Sequence, residues 1–254
     1  MKHTGQTLIV ATLLLALPAP AQDTLRQLAN QAYLSAEQCE PVVEQFAQQV
    51  ETTRAGSPLA SELADLRDIG DGLHTGCRAG IAQLEAAAGE DERKLESLFR
   101  SRQWYDINRA LAQFRYLQAW LDLSLAEVTG DTEQRIKTLA RAQRGFEAAS
   151  LRLLFPSIVY GSGLGLALIE RAQGDDESAK AKLLALERAL APTPENPIAV
   201  AVNQELRLMT LQSDDALAWL ADDVALSTED ARVVEERAFV LLQRQREQGV
   251  GAME

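Results

Sequence analysis

The residues of this chain best suited to recognition chemistry lie between Arg93 and Trp120. Phe99, Trp104, Tyr105, Phe114, Tyr116 and Trp120 all fall there, in a chain with only 3 Trp, 4 Tyr and 6 Phe. Arg93, Lys94, Arg100, Arg102, Arg109 and Arg115 accompany them, whereas the whole chain carries 37 Asp+Glu against 25 Lys+Arg and a formal charge of -12. An Arg fork holds a carboxylate through two parallel hydrogen bonds, and Arg, Tyr and Trp dominate interface energetics. The segment predicts a helix with two stripes. Ile107, Leu111, Phe114, Leu117, Leu121, Leu125 and Val128 recur at three and four and form a core stripe. Arg102, Asp106, Arg109, Gln113, Tyr116 and Trp120 form a second one, turned away from the first because the step from 111 to 113 is about 200°. That second stripe either lies between neighbouring helices or lines a concave face. In the latter case Arg102, Arg109, Tyr116 and Trp120 bind a carboxylate-bearing partner.

Other chemistry finds little support. A Ser-His-Asp arrangement needs a histidine, and beyond the N-terminal segment the sequence offers His74 alone. The acidic runs Asp175-Asp176-Glu177, Asp214-Asp215, Asp222-Asp223 and Glu235-Glu236 sit at predicted helix starts or on polar faces, where carboxylates favour the helix N-terminus. None has the spacing of a calcium loop. His74 and Cys77 with Cys39 lack the second close pair of ligands that a zinc site needs. Gly161, Gly163 and Gly165 follow no strand and precede no Lys-Ser/Thr, so they read as small residues between packed helices rather than a phosphate loop. The expectation is a non-enzymatic protein without cofactor or metal. The acidic balance also argues against nucleic acid as partner, because that binding rests on Lys and Arg neutralising phosphates.

Residues 1–21 have the layout of a secretory signal peptide: Lys2, an apolar run from Leu8 to Leu17, then Pro18-Ala19-Pro20-Ala21 before Gln22. These ten residues, apolar except for Thr12, rise about 15 Å as a helix, half of a hydrocarbon core. A second uncharged stretch, Leu153 to Ile169, contains Pro156 and three glycines and reads as buried core, so the protein is not expected to span a membrane. Export makes a disulfide between Cys39 and Cys77 the expected state of the only two cysteines. Closing that loop restricts the unfolded chain by roughly 4 kcal/mol in the chain-entropy account.

The elements that must carry these residues are helices throughout. Apolar residues recur at three and four from Asp23 onward, and no alternating β-branched run is long enough for a strand. The periodicity predicts a first helix from Asp23 to about Leu34, a second with Pro41 in its first turn and ending before Gly56, and a third region, Leu59 to Ala88, loosened by Gly70, Gly72, Gly76 and Gly80. A short helix after Gly89 leads into the longest one, Gln103 to Val128. Asp131–Leu154, Pro156–Gln173, Asp175–Leu190, Pro197–Leu211, Asp214–Ala221 and Ser227–Gln245 follow. Within this series the turn Thr129-Gly130-Asp131-Thr132-Glu133 is echoed by Gln173-Gly174-Asp175-Asp176-Glu177. Leu139 then corresponds to Leu183, Arg144 to Arg188, Gly145 to Ala189 and Phe146 to Leu190. A weaker echo lies at Ser213-Asp214-Asp215-Ala216. A period near 40 residues marks stacked helical hairpins.

The stretch from Leu166 to Ala179, followed by Leu183, Ala189-Leu190 and Pro192, resembles a tetratricopeptide repeat. Ala167 and Ala179 stand at its small packing positions and Gly174 in its turn. The resemblance covers roughly residues 117–212 and implies a protein-binding scaffold: antiparallel helical hairpins stacked into a short α-solenoid. The expected organisation is then a signal peptide (1–21), an N-terminal helical region with one disulfide (22–101) and a repeat region (102–254). The expected function is an exported, periplasmic or secreted scaffold that binds an envelope protein or peptide. A self-associating structural accessory, forming a homo-oligomer, and a binder of carboxylated small ligands or glycans are the alternatives.

Overall fold

The computed structural model describes residues 20–56, 58–151 and 155–212. The residues expected to form a signal peptide, up to Ala19, lie outside this range, as do the predicted helices Asp214–Ala221 and Ser227–Gln245. The described residues form an all-α fold of nine helices: α1 (Pro20–Ala29), α2 (Ala36–Ala55), α3 (Ala60–Ala88), α4 (Glu92–Phe99), α5 (Arg102–Val128), α6 (Thr132–Ser150), α7 (Pro156–Ala172), α8 (Asp176–Leu190) and α9 (Pro197–Gln212). None of them is long and apolar enough to cross a membrane. The chain divides into two compact units at Gly165 and Leu166, inside α7.

In the first unit α5 is the central element, with α2 and α3 packed on one side and α6 on the other. Its predicted core stripe is buried from Ile107 to Leu121 against Leu25 of α1, Val42, Val43 and Phe46 of α2, and Leu63, Leu66, Ile69 and Leu73 of α3. Leu125 is only partly buried and Val128 is exposed, because the stripe outruns the core at the C-terminal end of the helix.

Two elements differ from the sequence expectation for tertiary reasons. The first helix stops at Ala29 rather than near Leu34, because the Leu34 N–H donates to the Gly76 carbonyl of α3 (2.9 Å) instead of continuing the helix. The third region is not loosened by its glycines but is one helix of 29 residues. A mid-helix glycine costs about 1 kcal/mol relative to alanine. Here each glycine admits a neighbour that a side chain would exclude: Phe46 lies over Gly70, Ala29 against Gly72, and Leu34 against Gly76 and Gly80. A methyl group at Gly80 would meet the Leu34 carbonyl oxygen, which is backbone and yields little. Gly80→Ala is therefore expected to destabilise the protein by about 1–3 kcal/mol in urea unfolding. Gly130→Ala, where nothing lies within 4 Å, should be silent; equal effects would remove the close-approach explanation.

Cys39 of α2 and Cys77 of α3 are bridged, with Cα atoms 6.0 Å apart, in the usual range for a disulfide. Both are fully buried beside Leu34. Reduction under native conditions should lower the melting temperature and cost about 2–4 kcal/mol, checked by calorimetry with and without reductant. An unchanged transition would mean that the bridge adds nothing to the packing.

In the second unit Ala167, Ile169, Ala179, Leu183, Leu190, Ala199 and Val202 are buried. The turn from α7 to α8 is a Schellman arrangement: Gly174 has φ 84°, its N–H donates to Arg171, and the Asp175 N–H donates to Glu170 (2.9 Å). Asp175 then caps α8 by accepting from the Ser178 N–H, a bond that holds its carboxyl below the usual carboxylate range. The echo at Asp131 shares the cap, accepting from the Gln134 N–H, but Gly130 has no positive φ. The buried positions match as well, Leu139 with Leu183 and Phe146 with Leu190.

Candidate functional site

The structure separates the four residues of the second α5 stripe. Arg102, at the start of α5, is 87% exposed and reaches Asp106 one turn on, while Arg109 lies 3.9 Å from Glu40 of α2 at the surface. Tyr116 and Trp120 instead belong to packing. Trp120 is only 8% exposed, and its ring meets Phe146 of α6 edge-on at 5.1 Å and Tyr116 at 6.1 Å. Burial raises the Tyr116 phenol above its usual pKa. Gly161 of α7 comes close enough to Tyr116, and Gly165 close enough to Phe146, that no side chain would fit at either glycine. The aromatic half of the stripe thus lies between helices, and only its arginine half meets solvent.

Around Trp120 sits a buried polar network. Asp122 of α5, with a side chain 3% exposed, accepts from Arg67 of α3 (2.7 Å) and pairs with Arg141 of α6 (2.6 Å). Burial works against the charge of Arg67, but Asp122 and Asp71 together outweigh it, and its pKa is raised. Arg54 of α2 lies 4.3 Å over the Trp120 ring and donates to the Ser124 hydroxyl at 2.9 Å. Burial lowers its pKa, opposed mainly by Glu127. Three arginines and one carboxylate, from four helices, thus tie α5 to α2, α3 and α6.

The same seam between α3 and α5 builds the more accessible site. The helices run antiparallel: Arg67 meets Asp122, and one turn further along α3 Asp71 accepts from Gln118, one turn back along α5 (2.6 Å). Continuing that register brings His74, Arg78, Ile81, Ala82 and Glu85 of α3 opposite Arg115, Leu111, Asn108 and Trp104 of α5, and there the seam opens into a groove of about 430 Å³. Leu111 is buried at its floor, and Trp104 is partly covered by the ring of Phe99 from α4, 4.8 Å away. The position of Trp104 follows from local capping, since the Ser101 hydroxyl accepts its N–H and starts α5 there. Asn108 donates back to the Trp104 carbonyl at 2.9 Å. Arg78 and Arg115 form no ion pair among the described residues. Among those residues no group of three or more His, Cys, Asp or Glu side chains is placed to hold a metal ion.

Trp104 and Arg115 belong to the segment that the sequence singles out, but on a face between its two stripes. His74 and Arg78 gave no recognition signal of their own. The available signal was a spacing: 74, 78, 81 and 85 on one helix and 104, 108, 111 and 115 on the other step at nearly the same intervals, so each set occupies one helical face. Comparison of the chain with family models, with curated proteins and with solved structures gives no match. The site therefore has to be interpreted from its own chemistry.

Proposed function

We propose that this is an exported, non-enzymatic helical scaffold that binds a protein or peptide of the cell envelope. The observation that carries this reading is the α3–α5 groove, where Arg78 and Arg115 stand without carboxylate partners among the described residues beside a half-covered Trp104, in a chain of net charge -12. Arg and Trp on rigid helices, with apolar floor between them, are the composition of an interface rather than of a surface kept soluble by mixed charge. Export rests on the layout of residues 1–21 and accords with the buried disulfide. The repeat-like organisation rests on the shared caps and buried positions of the two echoed turns. A second reading, a small carboxylated ligand, is favoured by the groove volume, which suits such molecules.

Photo-crosslinking in the native host tests the reading, with the reactive residue placed singly at Ala82 in the groove and at Tyr33 and Ile136, both exposed elsewhere. At least one position should give a discrete adduct with a different protein, and intact mass of the exported chain should show residues 1–21 removed. Adducts only between copies of the chain, or none at any position, would replace the scaffold reading with self-association or with the small-ligand reading.

A further inference from the structure

Resting on that reading, we propose that the groove binds an extended acidic peptide segment, with a side-chain carboxylate held by Arg78 and Arg115 and a following apolar side chain laid on Trp104. Charge complementarity names the occupant. At the closed end of the seam every charged group is answered, Arg67 by Asp122 and Asp71, and Asp71 also by Gln118. One turn beyond, Arg115 and then Arg78 enter the groove, and no carboxylate of the described residues pairs with either. Two guanidiniums held by opposite walls are a receptor for a carboxylate that the described residues do not supply. The groove lies outside the repeat-like stretch, so the inference owes nothing to that resemblance.

The groove also has a direction. Leu111 and Ile81 make its middle apolar, and Glu85 stands near Trp104 at the far end. A carboxylate there would be repelled, so the acidic residue belongs at the Arg end and an uncharged or basic one at the Trp end. From Arg115 or Leu111 to Trp104 is about 10–16 Å along the helix axis. An extended chain covers this in about three to five residues. The ligand is therefore Glu or Asp followed, some four residues on, by Leu, Phe or a similar side chain.

The test is fluorescence anisotropy of the full mature chain with a dye-labelled peptide Glu-Ala-Ala-Ala-Leu, acetylated and amidated so that its side chain carries the sole carboxylate, and with its Gln counterpart. The Glu peptide should bind at least about tenfold more tightly, the scale of a charged hydrogen bond. Arg78→Glu with Arg115→Glu should abolish the difference, Arg78→Lys should retain part of it, and Trp104→Phe should weaken both peptides less than Trp104→Ala. Urea midpoints of the arginine variants must match the parent, since neither arginine is part of an ion pair among the described residues. Equal binding of the Gln peptide, or undiminished binding by the charge-reversed chain, overturns the proposal. Displacement by glucuronate at the same concentration as unlabelled peptide also overturns it, because a lone carboxylate would then suffice. If the peptide fails while adducts at position 33 or 136 persist, the scaffold reading stands without this groove. Loss of adducts at all three positions removes that reading whatever the peptide does.

Discussion

Trp120→Ala is expected to lose about 3–5 kcal/mol of folding stability, the range for truncating a buried large aromatic. The side chain fills the space between α5, α6 and the Arg54 guanidinium of α2, and its removal strands Phe146, which packs edge-on against it, and the charge that rests on its face. Far-UV circular dichroism in urea measures the loss without relying on the fluorophore that has been deleted. Trp120→Phe should cost less, since it keeps an aromatic edge against Phe146. A loss below about 1 kcal/mol, in the range of an ordinary surface change, would contradict the packing and return this residue to the candidate binding face.

Asp122→Ala should be of similar size, about 3–5 kcal/mol, by a different route. The carboxylate is the shared partner of Arg67 and Arg141, and Arg141 already has its Nε buried without a hydrogen bond. Deleting the acid takes from Arg141 its carboxylate and leaves Arg67 with Asp71 alone, and an uncompensated charge at a partly buried site costs more than the pair contributes. Asp122→Asn keeps an acceptor but not the charge, so an intermediate loss is expected. The informative comparison is with Asp122→Ala in an Arg141→Met background: if the charge argument holds, removing one of the two cations recovers part of the loss.

The helical class, the end of α2, the bounds of α5 and the cap of α8 were legible in the sequence because they rest on local causes: apolar period, a side-chain cap, a glycine at a turn; the start of α2 was not, since Pro41, expected in its first turn, is the sixth residue of a helix that begins at Ala36. The end of α1 was not, because it depends on Leu34 finding Gly76, 42 residues away in sequence. The 29-residue α3 was misread for the same reason, since its glycines look like breakers until Phe46 and Leu34 are seen filling the space above them. Of the groove residues, Trp104 and Arg115 lie in the segment that the sequence singles out, but on another face of its helix than the stripe read there. Period alone shows that a helix has a second polar face; whether Trp120 or Trp104 meets solvent depends on where α6 and α3 end up. That Arg78 and Arg115 line one groove could be known only once the antiparallel register of α3 and α5 was known.

Gly76 and Gly80 of α3 and the lining of its groove lie on opposite sides of one rod, since each of these glycines is two residues, or about 200°, from Arg78. The two faces should therefore evolve under separate rules. In a saturation scan of α3 scored for folding alone, Gly70, Gly76 and Gly80 should tolerate almost nothing, whereas Arg78, Ala82 and Glu85 should accept most residues. Related chains could thus exchange the lining of the groove, and with it the choice of ligand, while the glycine side and the buried disulfide next to it stay unchanged. Specificity in such a molecule is separable from foldability at the level of a single helix.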